Sequence, residues 1–542
     1  MHSALHCAAI AGAGARLVEV QVDLALGLPG FHLVGLPDHA CNDARTRVLT
    51  ALRNTGYQLP QKKITVNLAP GDLRKEGAAF DLAIALGILV AAELVPLPER
   101  APLLAGELAL SGEVLPVRGV LPIALEARKR GFQRLIVPEQ NAPEGALVQG
   151  VRVHGARSLT EAAETFCGMS SRPPAEAPEA LPPAAQLDLA DVRGQEAAKW
   201  ALEIAAAGGH NALLIGPPGA GKTMLARRLP GLLPALCFEE AVEATSIWSV
   251  AGRLNPGQGL LSSRPFRAPH HTISVVGLVG GGSPLRPGEI SLAHRGVLFL
   301  DELPEYGHAA LEALRQPLED GEITLVRAKD RATMPARFML LAAMNPCPCG
   351  HASDPEPDRC ICTVPAKESY RRRISGPILD RFDLHIEVGP LRTKDFLGLP
   401  QGESSAVIRE RVEKAREVQR RRFAQHPGLH CNAQLTGRGL RKLVDATDAA
   451  RTRLARFIDE KSLSARAHDR ILKLARTIAD LEGRDRVEEK DVDGAVQLRC
   501  LDRPVRSASG PGRLSSLQLA RNAALNRAVG AASPGATLRE GT

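Results

Sequence analysis

The stretch that most constrains this chain is Gly216–Thr223, GPPGAGKT, which fits G-x-x-x-x-G-K-[ST] and lies between the apolar run NALLI and the helical MLARRLPGLL. A strand that ends in a glycine-rich turn opening a helix points backbone N–H groups at phosphates. The surrounding region therefore reads as parallel α/β. Gly216, Pro217, Pro218, Gly219, Ala220 and Gly221 form the cradle, Lys222 reaches the β and γ phosphates of a nucleotide, and Thr223 ligates Mg2+.

A phosphate loop needs a second element, because the metal must be held from the far side and a water must be polarised. VLFLDE (297–302) supplies an apolar strand ending in two acids, Asp301 for the metal and Glu302 for the water. Asn345 closes the next apolar run, FMLLAAMN. Its amide is placed to position a water against the γ-phosphate, the simpler alternative being an Asn that caps a strand end. Arg381 in ISGPILDRFDLHIEV and Arg466 in SARAHDR are the candidate guanidinium groups for the charge that develops during phosphoryl transfer.

With 542 residues the chain is too long for one core, and about two to four domains are expected. SRPPAEAPEALPPAAQ (171–186) is too poor in large apolar residues to pack and reads as a linker. Residues 1–170 alternate strand-like and helical stretches and form an α/β or α+β domain. Residues 187–393 form the nucleotide-binding core. The strands stop near Thr393, and the apolar residues of 394–503 recur at helical spacing, which predicts an all-helical lid. The end, 504–542, reads as a basic mobile tail.

An apolar content of 44% excludes global disorder. No apolar run reaches the roughly 18 to 20 uncharged residues of a bilayer span, and the amino terminus lacks a cleavable leader pattern, so a cytoplasmic protein is expected. A net charge of +8 suits a polyanionic partner without proving one. Of ten cysteines, Cys347, Cys349, Cys360 and Cys362 fall within NPCPCGHASDPEPDRCIC. Two C-x-C pairs can complete a tetrahedral structural Zn2+ site, although C-x-C is less usual than C-x-x-C; free thiols or a redox-sensitive pair stay open. His270 and His271 in APHHTIS have no matching acid nearby in the sequence and read as surface.

The order of GPPGAGKT, VLFLDE, AAMN, LDRFDL and SARAHDR is similar to that of Walker A, Walker B, sensor 1, arginine finger and sensor 2 in AAA+ ATPases. PGEISLAHRGVLFLDELPEYGHAALEALRQPLEDGEITLVRA resembles the magnesium-chelatase and MCM-helicase branch. That resemblance implies an αβα core, a helix-2 insert (RPFRAPHHTISVVGLVGGGSPLRPGEI) and a pre-sensor-1 hairpin (EITLVRAKDRATMPARFM). The amino-terminal part, including GLPGFHLVGLPDHACNDARTRVLTALRNTGYQLPQKKITVNLAPGDLRKEGAAFD, resembles the YifB/ComM family of magnesium-chelatase-like ATPases. That family's amino-terminal domain is similar to the Lon protease domain, of the ribosomal S5 domain 2 type. Its Ser/Lys dyad is absent here, Ala79 and Leu121 standing at the matching positions, so a non-proteolytic scaffold is implied.

The resemblance implies a hexameric ring in which Arg381, and in this branch sensor 2 as well, reaches a neighbour's nucleotide. It also implies a DNA helicase that drives branch migration during integration of transforming DNA. Arg327, Lys329 and Arg331 at or near the hairpin tip would then face the pore and grip DNA phosphates without reading bases. Two alternatives are a protein-remodelling ATPase, weakened by the absence of an aromatic at the tip, and a motor subunit for metal chelation into a tetrapyrrole, which is not built with such an amino-terminal domain.

Overall fold

Apolar and polar residues alternate in GARLVEVQVDLA, so a strand there must bury one face, and Val18, Val20, Val22 and Leu24 are indeed buried. The computed structural model describes residues 2–178, 187–255, 257–282, 285–326, 331–352, 359–390, 402–426, 428–461 and 463–502. Arg327, Lys329, half of the expected linker (179–186) and the expected tail lie outside these residues.

The amino-terminal part is built on β1 (His2–Ala11), β2 (Gly14–Ala25), β3 (Gly30–Val34), β4 (Lys63–Ala69) and β5 (Leu103–Leu104). A small ribbon of β6 (Glu107–Leu108) and β7 (Val114–Leu115) follows, then β8 (Arg134–Pro138) and β9 (Arg152–Ala156). Seven of these strands make a mixed sheet in the order β3-β4-β2-β1-β5-β8-β9. The helix Asp81–Ala91, DLAIALGILVA, is apolar on almost every side and accordingly buried almost throughout. It lies so close to β2 that a Cβ at Gly87 would fall 2.8 Å from a Val22 methyl. Side chains from Leu5 to Phe166 form one hydrophobic core of their own.

The second sheet comprises β10 (Ala212–Ile215), β11 (Phe266–Arg267), β14 (Val297–Leu300), β17 (Met339–Met344) and β18 (Leu384–Glu387). Its order is β11-β14-β17-β10-β18, and every pairing is parallel. Central parallel strands are covered on both faces, which is why ALLI, VLFL and MLLAAM are apolar without alternation and wholly buried. A ribbon of β12 (Gly280–Gly281) and β13 (Arg286–Pro287) lies within the expected insert. β15 (Glu322–Val326) and β16 (Arg331–Pro335) pair antiparallel as the two arms of the expected hairpin.

One face of the parallel sheet shares its core with the carboxy-terminal helices, so Leu214 and Phe299 belong to the same cluster as Ile408, Leu474 and Val492. The helix Ala465–Leu481 is further tied down by His210. Its Nδ1 lies 2.9 Å from the Asp383 carboxylate and its Nε2 2.8 Å from the Thr477 hydroxyl, all of it buried.

The amino-terminal part rests on this core. Ser249 donates a hydrogen bond to the Glu144 carboxylate, and the β1–β2 turn sits against the hairpin arm, where a Cβ at Gly12 would fall 2.5 Å from the Thr333 carbonyl oxygen. Among the described residues no helix is long and apolar enough to cross a membrane.

Candidate active site

Three loops leave the carboxyl ends of neighbouring parallel strands and meet: the phosphate loop after β10, Asp301 and Glu302 after β14, and Asn345 after β17. Open parallel sheets present their binding loops at that edge. Gly219 and Gly221 adopt φ of +74° and +89°, with nothing within 4 Å of where a Cβ would stand. They are glycines for their left-handed backbone rather than for lack of room. The N–H of Gly216 donates to Met344 O (3.3 Å), which roots the loop on the strand that delivers Asn345. On its outer side the Gln195 amide donates to the carbonyls of Gly389 (2.6 Å) and Ala220 (3.3 Å).

The Lys222 ammonium donates to Gly216 O (2.7 Å), Pro217 O (2.9 Å) and Asn345 Oδ1 (3.1 Å). Burial lowers its pKa, while the charges of Asp301 and Glu302 oppose that shift. The Thr223 hydroxyl donates to Asp301 Oδ2 at 2.6 Å, and Asp301 Oδ1 accepts from the Glu302 N–H at 3.0 Å. Thr223 and Asp301 thus present adjacent hard oxygen donors, the set that Mg2+ takes alongside phosphate.

Glu302 sits at φ +53°, a left-handed conformation that costs a non-glycine residue roughly 1 to 3 kcal/mol and concentrates at functional sites. Its half-exposed carboxylate lies 3.2 Å from His271 Nδ1. The His271 ring packs edge-on to Tyr306, whose hydroxyl donates to Pro269 O at 2.6 Å. This corrects the reading of His271 as surface without a matching acid, for the acid lies 31 residues further along the chain. The only available signal was that APHH directly follows a strand. Because β11 and β14 are parallel neighbours, whatever follows one stands beside whatever follows the other.

Arg381 and Arg466 are brought together, but away from this cluster. Arg381 precedes β18, and its backbone carbonyl accepts from the side chain of Asn211, the residue before β10. It therefore lies at the amino ends of the strands, about 13 Å along a four-residue strand from its own phosphate loop. Its guanidinium pairs with Glu319, and its pKa is lowered by burial and then by the charges of Arg315, Arg466 and Arg470. Arg466 and Arg470 each reach Asp380 at 3.3 Å. Arg470 was not singled out by its motif, although it lies one turn along the same helix face as Arg466.

In the hairpin, Arg331 is exposed and pairs in register with Val326, at the end of the arms next to the residues that join them. The four clustered cysteines converge, with all their sulfurs within 4.8 Å of one another.

Family models cover most of the chain. "Magnesium chelatase, subunit ChlI" matches residues 188–396, "Subunit ChlI of Mg-chelatase" residues 20–141, and "Magnesium chelatase, subunit ChlI C-terminal" residues 402–499. YifB of Escherichia coli is 44% identical over 504 residues, spanning 92% of this chain and 97% of its own length. The competence protein ComM of Haemophilus influenzae is likewise 44% identical over 508 residues, with the same coverage of both chains.

The chain belongs to the YifB/ComM family of magnesium-chelatase-like ATPases.

Family membership implies ATP and Mg2+ as cofactors. A shorter similarity, 34% over 155 residues or 28% of this chain, links it to the DNA repair protein RadA of Escherichia coli, of which it covers 32%.

Proposed function

We propose that the chain is an ATP-driven DNA motor: a cytoplasmic helicase, working as a hexameric ring, that promotes branch migration during homologous recombination of transforming DNA. The observation that carries the motor is the convergence of Lys222, Thr223, Asp301 and Asn345 at one edge of the parallel sheet, with Glu302 beside them. The DNA reading rests on similarity to a competence protein and to a DNA repair protein, on the basic balance, and on the cationic hairpin.

In the proposed mechanism, ATP phosphates take over the hydrogen bonds that Lys222 now makes to its own loop, and N–H groups from Gly216 to Thr223 wrap them. Thr223 and Asp301 hold Mg2+, which supplies charge neutralisation to the phosphates when bound. Glu302 polarises the attacking water and Asn345 orients it. Arg381 and Arg466 stand at the opposite end of the strands from their own phosphate loop, the placement a ring needs if each subunit offers cations to the next. In this reading residues 1–170 are a Lon-like, dyad-free collar on a core of 187–393, and 394–503 are the lid.

Purified protein, ATP and a labelled three-strand or Holliday-type substrate test this directly, with Glu302→Gln as control. ATP-dependent strand movement that the control lacks is the expected result. ATP hydrolysis without strand movement, and indifferent to DNA, would refute the motor. The second reading, a chelatase-type motor subunit, is favoured by the family models' descriptions; it requires stimulation by a chelatase partner instead of DNA. Remodelling of a protein substrate is the remaining outcome.

A further inference from the structure

The cysteine knuckles are not part of the nucleotide chemistry, yet they lie against it. Cys347 and Cys349 follow Asn345, while Cys360 and Cys362 precede the helix Val364–Arg372. The sulfur separations are 3.4 Å for Cys347–Cys349, 3.9 Å for Cys347–Cys360 and 3.8 Å for Cys349–Cys360. Four sulfurs around one Zn2+ at about 2.3 Å would stand about 3.8 Å apart, so these three separations approximate one face of such a tetrahedron, and the Cys362 sulfur lies within 4.8 Å of all three. A disulfide needs about 2.05 Å, and all four cysteines are free.

A second observation points the same way. Backbone N–H groups of Ala352, His351 and Cys349 are directed at the sulfurs of Cys347, Cys349 and Cys362 respectively. Such N–H donors fix the direction of ligand lone pairs, as outer partners of a metal site do.

The knuckle also touches the phosphate loop. Gly350 has φ +84°, its N–H donates to Cys347 O at 3.0 Å, and a Cβ on it would fall 2.6 Å from Pro218 Cδ. Gly350, directly after the first cysteine pair, is thus pressed against Pro218, while the pair itself is joined through Pro346 to Asn345, the acceptor of Lys222.

We propose that Cys347, Cys349, Cys360 and Cys362 bind one structural Zn2+, and that the resulting clasp braces the phosphate loop and Asn345 in their nucleotide-binding geometry. Loading exchanges four S–H bonds for four Zn–S bonds and releases the protons to solvent, with no change of oxidation state. All four positions are filled by sulfur, so the metal binds no water and does no chemistry. The site takes a soft-ligand divalent ion, for which Co2+ is a faithful probe.

The experiment uses the full chain purified without chelator. Elemental analysis is expected to find about one zinc per chain, lost in Cys360→Ser and kept in Cys237→Ser, whose thiol is exposed and outside the cluster. In case the serine variant unfolds, the unmutated protein loaded with Co2+ decides by itself. Intense visible d–d bands and sulfur-to-cobalt charge-transfer bands mean tetrahedral thiolate ligation. Stripping zinc from the unmutated protein is then expected to weaken binding of a fluorescent ATP analogue several-fold, restored by zinc alone. Near-zero zinc without the cobalt spectrum would overturn the site. Full zinc with nucleotide affinity indifferent to its removal would overturn the bracing. Neither readout involves DNA, so both stand apart from the fate of the motor reading.

Discussion

Replacing Asn345 by Ala separates a water-positioning amide from a residue that merely ends a strand. In the resting site its Oδ1 accepts from Lys222 at 3.1 Å, but Lys222 keeps two shorter bonds, to Gly216 O at 2.7 Å and Pro217 O at 2.9 Å. The ammonium is therefore not left unsatisfied by the substitution, and ATP affinity is expected to change little. The loss falls instead on the reacting complex, where the amide holds the water against the γ-phosphate. A hydrogen bond to a charged group is worth roughly 1.5 to 3 kcal/mol. At 1.36 kcal/mol per decade, a bond present only in the transition state is therefore worth roughly 13-fold to 160-fold in kcat. Steady-state ATP hydrolysis, paired with binding of a fluorescent ATP analogue, reads the two effects separately. An unchanged kcat with weakened binding would show ground-state anchoring and refute the positioning role, and no change in either would leave Asn345 a strand cap.

Removing the imidazole in His271→Ala frees the Glu302 carboxylate from its 3.2 Å partner and is expected to raise the DNA-free ATPase rate; an unchanged basal rate, with folding intact, refutes a restraining role. Arg331→Ala combined with Arg327→Ala and Lys329→Ala is expected to weaken DNA binding and to lower the slope of log affinity against log salt by about 0.7 to 0.9 for each phosphate no longer neutralised; parallel salt plots for the variant and the parent would sink the pore-grip idea. Acidification should loosen the carboxy-terminal helices. Burial lowers the His210 pKa from its ordinary 6.5, so below that value the unfolded chain takes up a proton that the folded one refuses, and stability falls as pH drops. Buried His385 adds to the same direction. Thermal melting followed from pH 8 to pH 5 checks this, and a melting temperature flat across the interval contradicts it.

Local chemistry reads well along one dimension. GPPGAGKT after an apolar run, VLFLDE and the hairpin arms were legible because each depends on neighbours a few residues away: glycine's backbone freedom, strand burial, and turn length. The positive φ at Gly219 and Gly221 is a local demand that any fold containing this loop must meet. The same holds for the parallel sheet, since unalternating apolar runs such as ALLI and MLLAAM cannot be satisfied with one face in water.

Pairings made by the order of strands were not legible. His271 faces Glu302 only because β11 lies beside β14, and no periodicity within either segment encodes that adjacency. Asn211 holds the backbone of Arg381 because β10 and β18 are parallel neighbours, and that pairing puts the arginine at the far end of the sheet from its own phosphate loop. Two C-x-C pairs announce sulfur ligands, but only the packed loop shows Gly350 pressed against Pro218. By itself, the order of residues determined a nucleotide-binding parallel α/β core, its phosphate loop, its acidic strand end and its family. The packing of strands and helices decided which distant groups meet: the histidine that faces Glu302, the end of the sheet that carries the arginines, and the cysteine knuckle against the loop. The physical reason is range, since backbone conformation and burial pattern are set over a few residues, whereas these meetings depend on long-range pairing that the hydrophobic cores select only for the chain as a whole.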